Sequence, residues 1–181
     1  MTCFYARRSG PLLCGLALAA AVLPGCSPTY DWRQVRVDGG ALTTLYPCKP
    51  DRRARTVSVA GQAVRMEMVV CSAGGSTFAA SFIDIVDPAA VTPAVASLRA
   101  AAVANVGGSA PRWQAFELAG ATPNPHAARL RVSGRLPDGQ AVEEHAAFFV
   151  RGLRVYTASV IGPAPDPEAV ESFVGGLKLT S

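Results

Sequence analysis

The sequence predicts an α+β domain in which an antiparallel β-sheet of about six to seven strands packs with one long helix and a C-terminal helix. Two observations lead to this fold class. Apolar and polar residues alternate in several short segments separated by Gly- and Pro-containing turns, a pattern typical of antiparallel strands. Residues 91–106 instead place apolar residues at three- and four-residue steps, as a helix does, and a shorter stripe of the same period lies near the end of the chain.

The first strands are predicted as a β-hairpin. Residues 31–37 alternate, Asp-Gly-Gly at residues 38–40 tolerates the positive φ angles of a tight turn, and residues 41–46 return as the second strand. We interpret Trp32 as a packing residue of this hairpin, with an exposed recognition aromatic as the alternative.

The next segment is strongly basic. Residues 51–55 follow two prolines that cannot donate backbone hydrogen bonds, and they are predicted as a loop. An anionic leaflet attracts each nearby basic residue by about 1 kcal/mol, so this segment is a candidate patch for a membrane or an acidic partner. The alternative is a solvated loop that Asp51 partly neutralises. Four residues make up this basic patch: Lys49, Arg52, Arg53 and Arg55.

Strands are predicted on either side of Gly61, at residues 56–60 and 64–71. Residues 77–86 carry apolar side chains on both faces, which favours a central position in the sheet. The long helix is predicted to begin at Asp87 and to end at the glycines of residues 107–108.

The second half of the chain returns to strands. Short turns at residues 137–139 and at Gly152 can join only antiparallel neighbours, so three of these strands form a meander. Asp166 is predicted to cap the C-terminal helix over residues 168–177. The predicted strands are residues 113–118, 127–135, 141–151 and 153–161.

The amino terminus carries a secretory signal. Arg7 and Arg8 precede about thirteen mostly apolar residues (11–23), and Gly25 supplies the small residue of a cleavage site. The apolar run is too short to cross a bilayer, which takes roughly 20 residues.

The tetrapeptide Leu-Pro-Gly-Cys that ends at Cys26 resembles the lipobox of bacterial lipoproteins. This resemblance implies that residues 1–25 are removed as a signal peptide and that Cys26 is lipidated by diacylation and by acylation of its new amino group, for which palmitate is the expected acyl chain. Ser27 follows where an aspartate would imply retention at the inner membrane, so the implied location is the outer membrane, facing the periplasm. The alternative is an ordinary signal peptide with a chance cysteine. We expect residues 26–30 to form a lipidated tether and residues 31–181 a single domain.

Export also bears on the remaining cysteines. Once Cys26 is lipidated, the domain keeps Cys48 and Cys71, and an even pair in an oxidising compartment is most simply one disulfide. Such a bridge adds about 3 kcal/mol in the chain-entropy model. The alternatives are two buried free thiols, or a metal or redox site.

Charge and chemistry exclude several functions. Removal of the signal peptide lowers the formal net charge from the +4 of the full chain to +2, which is too weak to favour nucleic acid. The two histidines, His126 in a loop and His145 beside Glu143, are the only candidates for acid–base catalysis, and no motif supplies a nucleophile. Asp84 and Asp87 do not complete a cation shell, and Asp87 is better explained as a helix cap. We therefore predict no catalytic residues, no metal and no cofactor.

Three segments, residues 45–50, 151–156 and 171–177, resemble those of uncharacterised proteobacterial envelope proteins, many of which are lipoproteins. The order of elements is similar to that of PsbP/Mog1-like domains, which form an α/β/α sandwich around an antiparallel sheet. PsbP-like proteins are accessory factors of larger complexes, so the resemblance implies a binding or scaffold role. We expect a monomer whose partner is the membrane or an envelope protein. The alternatives are a carrier with a small-ligand cleft between the sheet and the long helix, and an enzyme that uses one of the histidines.

Overall fold

A computed structural model describes residues 28–180, and in this range ten strands form two antiparallel sheets accompanied by helices. The strands are β1 (Arg33–Arg36), β2 (Leu42–Tyr46), β3 (Asp51–Val59), β4 (Gln62–Ala73), β5 (Ser76–Asp84), β6 (Ser109–Ala115), β7 (Ala128–Arg135), β8 (Ala141–Arg151), β9 (Arg154–Gly162) and β10 (Lys178–Leu179). The helices are α1 (Val91–Asn105), which follows a 3-10 turn at Pro88–Ala90, and α2 (Pro167–Val170), which continues as a π-turn at Glu171–Gly175.

The larger sheet has the strand order β3-β4-β5-β9-β8-β7-β6. The predicted meander is confirmed, since β7, β8 and β9 are consecutive antiparallel neighbours. The strand predicted to lie centrally is β5, which pairs with β4 on one side and β9 on the other. Apolar side chains from both of its faces are buried, because Phe78 packs in one core cluster and Ile83 in the other.

Helix α1 covers one face of the larger sheet, as the period of its apolar residues predicts. The Asp87 side chain accepts a hydrogen bond of 2.9 Å from the Ala89 amide, which confirms its capping role at the 3-10 turn. Val91, Ala94 and Val95 of α1 are buried against apolar residues of the sheet. The side chains of this cluster fill the layer between the sheet and α1.

The opposite face of the larger sheet is covered by α2 together with a three-stranded sheet of order β1-β2-β10. The predicted hairpin is confirmed, but it does not extend the larger sheet as a single-sheet prediction would require. Instead, β2 pairs with the last strand of the chain, β10. One outer layer is therefore a helix and the other a mixture of helix and strands, so the fold is α+β and only approximately an α/β/α sandwich.

Aromatic packing joins the smaller sheet and α2 to the larger sheet. The Phe173 ring lies 4.9 Å from that of Tyr46 and 5.5 Å from that of Phe78. The buried Tyr46 hydroxyl donates a hydrogen bond of 2.7 Å to the Val69 carbonyl and accepts one of 3.0 Å from the Ala80 amide. A buried hydroxyl that is satisfied in both roles fixes the orientation of the smaller sheet.

A buried carboxylate ties the turn of the first hairpin to the larger sheet. Asp38 accepts hydrogen bonds from the Tyr156 hydroxyl (2.5 Å), the Leu42 amide (2.8 Å) and the Arg154 guanidinium (3.2 Å). Burial works to raise the pKa of Asp38, but these hydrogen bonds outweigh it and hold the pKa below its usual value. Arg154 also forms a bidentate pair with Asp84, which explains this carboxylate as a structural ion-pair partner.

Two local predictions need correction. Residues 51–55 are not a loop, because they form the first half of the edge strand β3. All five residues are exposed, and an exposed charged strand lacks the alternation of apolar and polar residues from which a strand is predicted. The C-terminal helix begins as predicted, with Asp166 accepting a hydrogen bond from the Glu168 amide, but α2 is only four residues long before the π-turn replaces it.

Candidate functional site

The predicted lipidation site, Cys26, lies outside the described residues, which begin at residue 28. The chain that follows is soon fixed to the domain, since the Asp31 amide donates a hydrogen bond of 2.8 Å to the Pro47 carbonyl. The Tyr30 and Trp32 rings lie 5.5 Å apart, and Trp32 is 37% exposed. Trp32 is thus more exposed to solvent than expected for a residue whose role is packing.

The basic patch is divided by the strand that contains most of it. Because side chains alternate along β3, Arg53 and Arg55 point to one face and Arg52 to the other. The Arg52 guanidinium donates hydrogen bonds to the backbone carbonyls of Val37 (2.7 Å) and Arg36 (2.5 Å), so it connects the two sheets. Lys49, Arg53 and Arg55 are exposed, and their role in contacting a membrane or a partner stays a prediction.

A disulfide joins Cys48 and Cys71, consistent with the predicted pairing. Cys48 lies between β2 and β3, whereas Cys71 is a buried residue of β4 in the core cluster beneath the smaller sheet. The disulfide therefore covalently links the β2–β3 connection to β4 of the larger sheet, which favours a structural role.

The two histidines are engaged by other side chains. Arg99 contacts His126 at both the ring Nδ1 (3.2 Å) and the backbone carbonyl (3.3 Å). The His145 Nε2 atom lies 2.5 Å from Glu143 Oε1, so this carboxylate orients the ring. Over residues 28–180, neither ring is hydrogen-bonded to a serine, threonine or cysteine side chain, and no group of three or more His, Cys, Asp or Glu residues is arranged to hold a metal ion.

His145 lies in a cleft between α2 and strands β6, β7 and β8 of the larger sheet. This sheet–α2 cleft has a volume of about 370 Å³. Arginines form its floor, because Arg112 of β6 is directly opposite Arg131 of β7, which is in turn opposite His145 of β8. Arg129 lies two residues along β7 on the same face. The apolar wall of the cleft is formed by residues of α2 and the π-turn: Pro167, Val170 and Val174.

Acidic side chains neutralise part of this positive charge. Glu143 accepts a hydrogen bond of 3.0 Å from Arg131, and Glu171 accepts one of 2.9 Å from Arg129. Burial works to raise the pKa of Glu143, but the bonds from Arg131 and His145 outweigh it and lower the pKa. The Arg112 guanidinium forms no hydrogen bond or ion pair with any residue in the described part of the chain, in contrast to that of Arg131.

Sequence reasoning considered His145 and Glu143 but missed the three arginines that lie beside them. The turn at residues 137–139 could have revealed part of the cleft, since counting back from it pairs Arg131 with His145. Arg112 could not be placed by counting, because a one-residue bulge in β6 changes its register against β7.

Comparison with protein-family models and with curated proteins finds no match for this chain. In the described residues, no helix is both long and apolar enough to span a membrane.

Proposed function

We propose that this protein is an envelope lipoprotein, anchored through Cys26 to the outer membrane, whose domain has a non-catalytic binding or scaffold role at the periplasmic face. The lipobox resemblance supplies the anchor. The short connection between that anchor and the domain is the structural observation that carries the proposal.

The length of this connection limits where the domain can lie. Five residue steps separate Cys26 from Asp31, whose amide is bonded to the domain. A fully extended chain of this length spans about 17 Å, at up to roughly 3.5 Å per residue. The surface around Trp32 and Pro47 must therefore stay close to the lipid headgroups.

The chemistry of this surface fits a membrane interface. Tryptophan and tyrosine are enriched at the level of the headgroups, where Trp32 and Tyr30 would lie. The exposed Lys49 lies two residues after Pro47 and would face the same leaflet, which attracts basic side chains if it is anionic. These residues support a domain that works beside the membrane, with a membrane component or an envelope protein as its partner.

We also propose that the domain is similar in topology to PsbP/Mog1-like domains. The position of α1 on one face of the larger sheet and α2 on the other supports this likeness, whereas the additional three-stranded sheet is a difference from it. The carrier alternative receives no support beneath α1, where buried side chains occupy the layer between helix and sheet.

Photo-crosslinking in intact cells tests the proposal. A photoreactive phenylalanine derivative replaces Trp32 in one variant and Leu153 in the control variant. The Leu153 side chain is about as exposed as that of Trp32. It lies in the turn before β9, whereas Tyr30 contacts Gly74 near the other end of β9. We expect the position-32 probe to give lipid adducts or one specific envelope protein that the position-153 probe does not give. Identical adducts at both positions would contradict a surface oriented toward the membrane.

A further inference from the structure

The arginine floor of the sheet–α2 cleft brings like charges together without full compensation. Arg112 and Arg131 are directly opposite each other on neighbouring strands and share one face of the sheet. Like charges in this relation destabilise a sheet. Glu143 and Glu171 neutralise Arg131 and Arg129, which leaves the guanidinium of Arg112 with no acidic partner among the described residues.

A bulge in β6 creates this arrangement. Ser109 is opposite Ser133, whereas Arg112 is opposite Arg131, so β6 uses one more residue than β7 over this interval. Without the extra residue, Arg112 would point to the α1 face of the sheet. The bulge contains Ala110 at a φ of 54°, a conformation that is costly for a residue other than glycine. The backbone strain at Ala110 thus accompanies a bulge that turns a third arginine, Arg112, toward the cleft.

The surroundings of the arginines are suited to a small molecule. A second hollow of about 300 Å³ shares Arg112 and Arg131 with the sheet–α2 cleft and adds the hydroxyl groups of Ser109 and Ser133. Together the two hollows reach the size range of ligand sites, which typically combine apolar walls with a few convergent polar groups. Here the apolar wall is provided by α2, opposite the basic floor.

We propose that the sheet–α2 cleft binds a small organic anion, a carboxylate or a phosphate monoester, that carries an apolar part about the size of one ring. The fork of N–H donors on Arg112 pairs with the anionic oxygens, as guanidinium groups do with carboxylate and phosphate. Arg131, which is paired with Glu143, lies directly opposite Arg112 on the same face, and Val170 and Val174 of the opposite wall contact the apolar part. This site goes beyond the anchored role and does not depend on the lipid.

Calorimetric titration of the detergent-solubilised full chain tests the site with four probes. Benzoate and phenyl phosphate represent the two anion sources, benzamide is the neutral isostere of benzoate, and inorganic phosphate lacks the apolar part. We expect saturable binding of benzoate or phenyl phosphate, and which of the two binds more tightly identifies the source. Binding of benzamide and of inorganic phosphate should be at least tenfold weaker.

Variants locate the binding. Arg112→Gln should weaken the binding of the preferred anion at least tenfold while leaving the thermal midpoint unchanged or slightly raised, because Arg112 has no ion-pair partner to lose among the described residues and the substitution removes its repulsion from Arg131. Arg112→Lys keeps the charge but not the fork and should give an intermediate affinity. The matched control is Arg65→Gln, which replaces an exposed arginine of β4 on the same face of the sheet but separated from β6 by four strands, and which should bind like the wild type.

Several results would overturn the proposal. These are equal binding of benzamide and benzoate, equal binding of phosphate and phenyl phosphate, unchanged affinity in Arg112→Gln, or no saturation by either organic anion up to about 10 mM.

Discussion

A buried carboxyl group in the layer beneath α1 gives the most quantitative prediction. Glu144 of β8 is 4% exposed, and its Oε2 atom has no hydrogen-bond partner among residues 28–180. Burial raises the pKa of Glu144 from 4.5 to about 7, because the apolar surroundings disfavour the charged form. We predict that Glu144→Gln, which replaces the carboxyl group by a neutral group of the same shape, stabilises the protein at neutral and higher pH.

The size and sign of this stability difference follow from the linkage between proton binding at Glu144 and folding. Between pH 4.5 and about 7, the folded state binds a proton at Glu144 that the unfolded state has released, so this group lowers the free energy of unfolding as the pH rises. Each pKa unit corresponds to about 1.4 kcal/mol, and the shift from 4.5 to about 7 therefore amounts to about 3 kcal/mol, fully expressed above pH 7. Near pH 4 the acid is neutral in both states, and the variant and the wild type should have nearly the same stability.

Urea unfolding of both proteins, followed by far-ultraviolet circular dichroism at a series of pH values, measures this difference. The stability of the variant should exceed that of the wild type by an amount that grows from pH 4.5 to 7 and then levels off. Other titrating groups are common to both proteins and cancel in the comparison. Glu117→Gln, at an exposed position, is the control and should show no such divergence. Parallel stability curves for Glu144→Gln and the wild type would show that burial does not raise the pKa of Glu144 in the folded protein.

Three further substitutions or treatments test the account of the fold. Reduction of the disulfide between Cys48 and Cys71 should lower the free energy of unfolding by about 3 kcal/mol, and alkylation followed by mass spectrometry should detect two thiols only after reduction; labelling without reductant would contradict the bridge. Asp38→Asn should cost about 2 kcal/mol in urea unfolding at pH 7, because it leaves buried donors poorly paired. Since the folded pKa of Asp38 lies below 3.8, this contribution is present above that pH and is lost as the pH falls through the folded value, so a loss that is constant down to pH 2 would contradict it. Gly134→Ala should lower the free energy of unfolding by about 2–3 kcal/mol, because the added Cβ would lie 1.9 Å from the Val106 carbonyl oxygen. An unchanged free energy of unfolding would show that the backbone at Gly134 does not approach Val106 this closely.

Much of the fold follows from periodicity and turns. The meander β7–β9 could be predicted because its connections are too short for any other arrangement, and α1 because its apolar period is unambiguous. Periodicity indicates that a strand has a buried face but not which sheet covers it. For this reason the hairpin β1–β2 was recognised while its pairing with β10, more than 130 residues later, was not.

The sites were harder to predict because they depend on contacts between distant residues. Residues 51–55 gave no strand pattern, since the edge strand β3 exposes both of its faces there. Arg52 therefore looked like part of a free basic patch, although it binds carbonyls of the smaller sheet. The sheet–α2 cleft needs the bulge before Arg112 as well as the approach of α2, and neither has a signature in the sequence.

Acylation of Cys26 is measured by the intact mass of the protein extracted from the host membrane, compared with that of a Cys26→Ala variant. We expect the wild type to lack residues 1–25, to carry the added mass of its acyl chains and to fractionate with the outer membrane. The variant should carry no acyl mass and should leave the membrane fraction. A wild-type protein without acyl mass, or a variant that fractionates unchanged, would show that the domain is not anchored through Cys26.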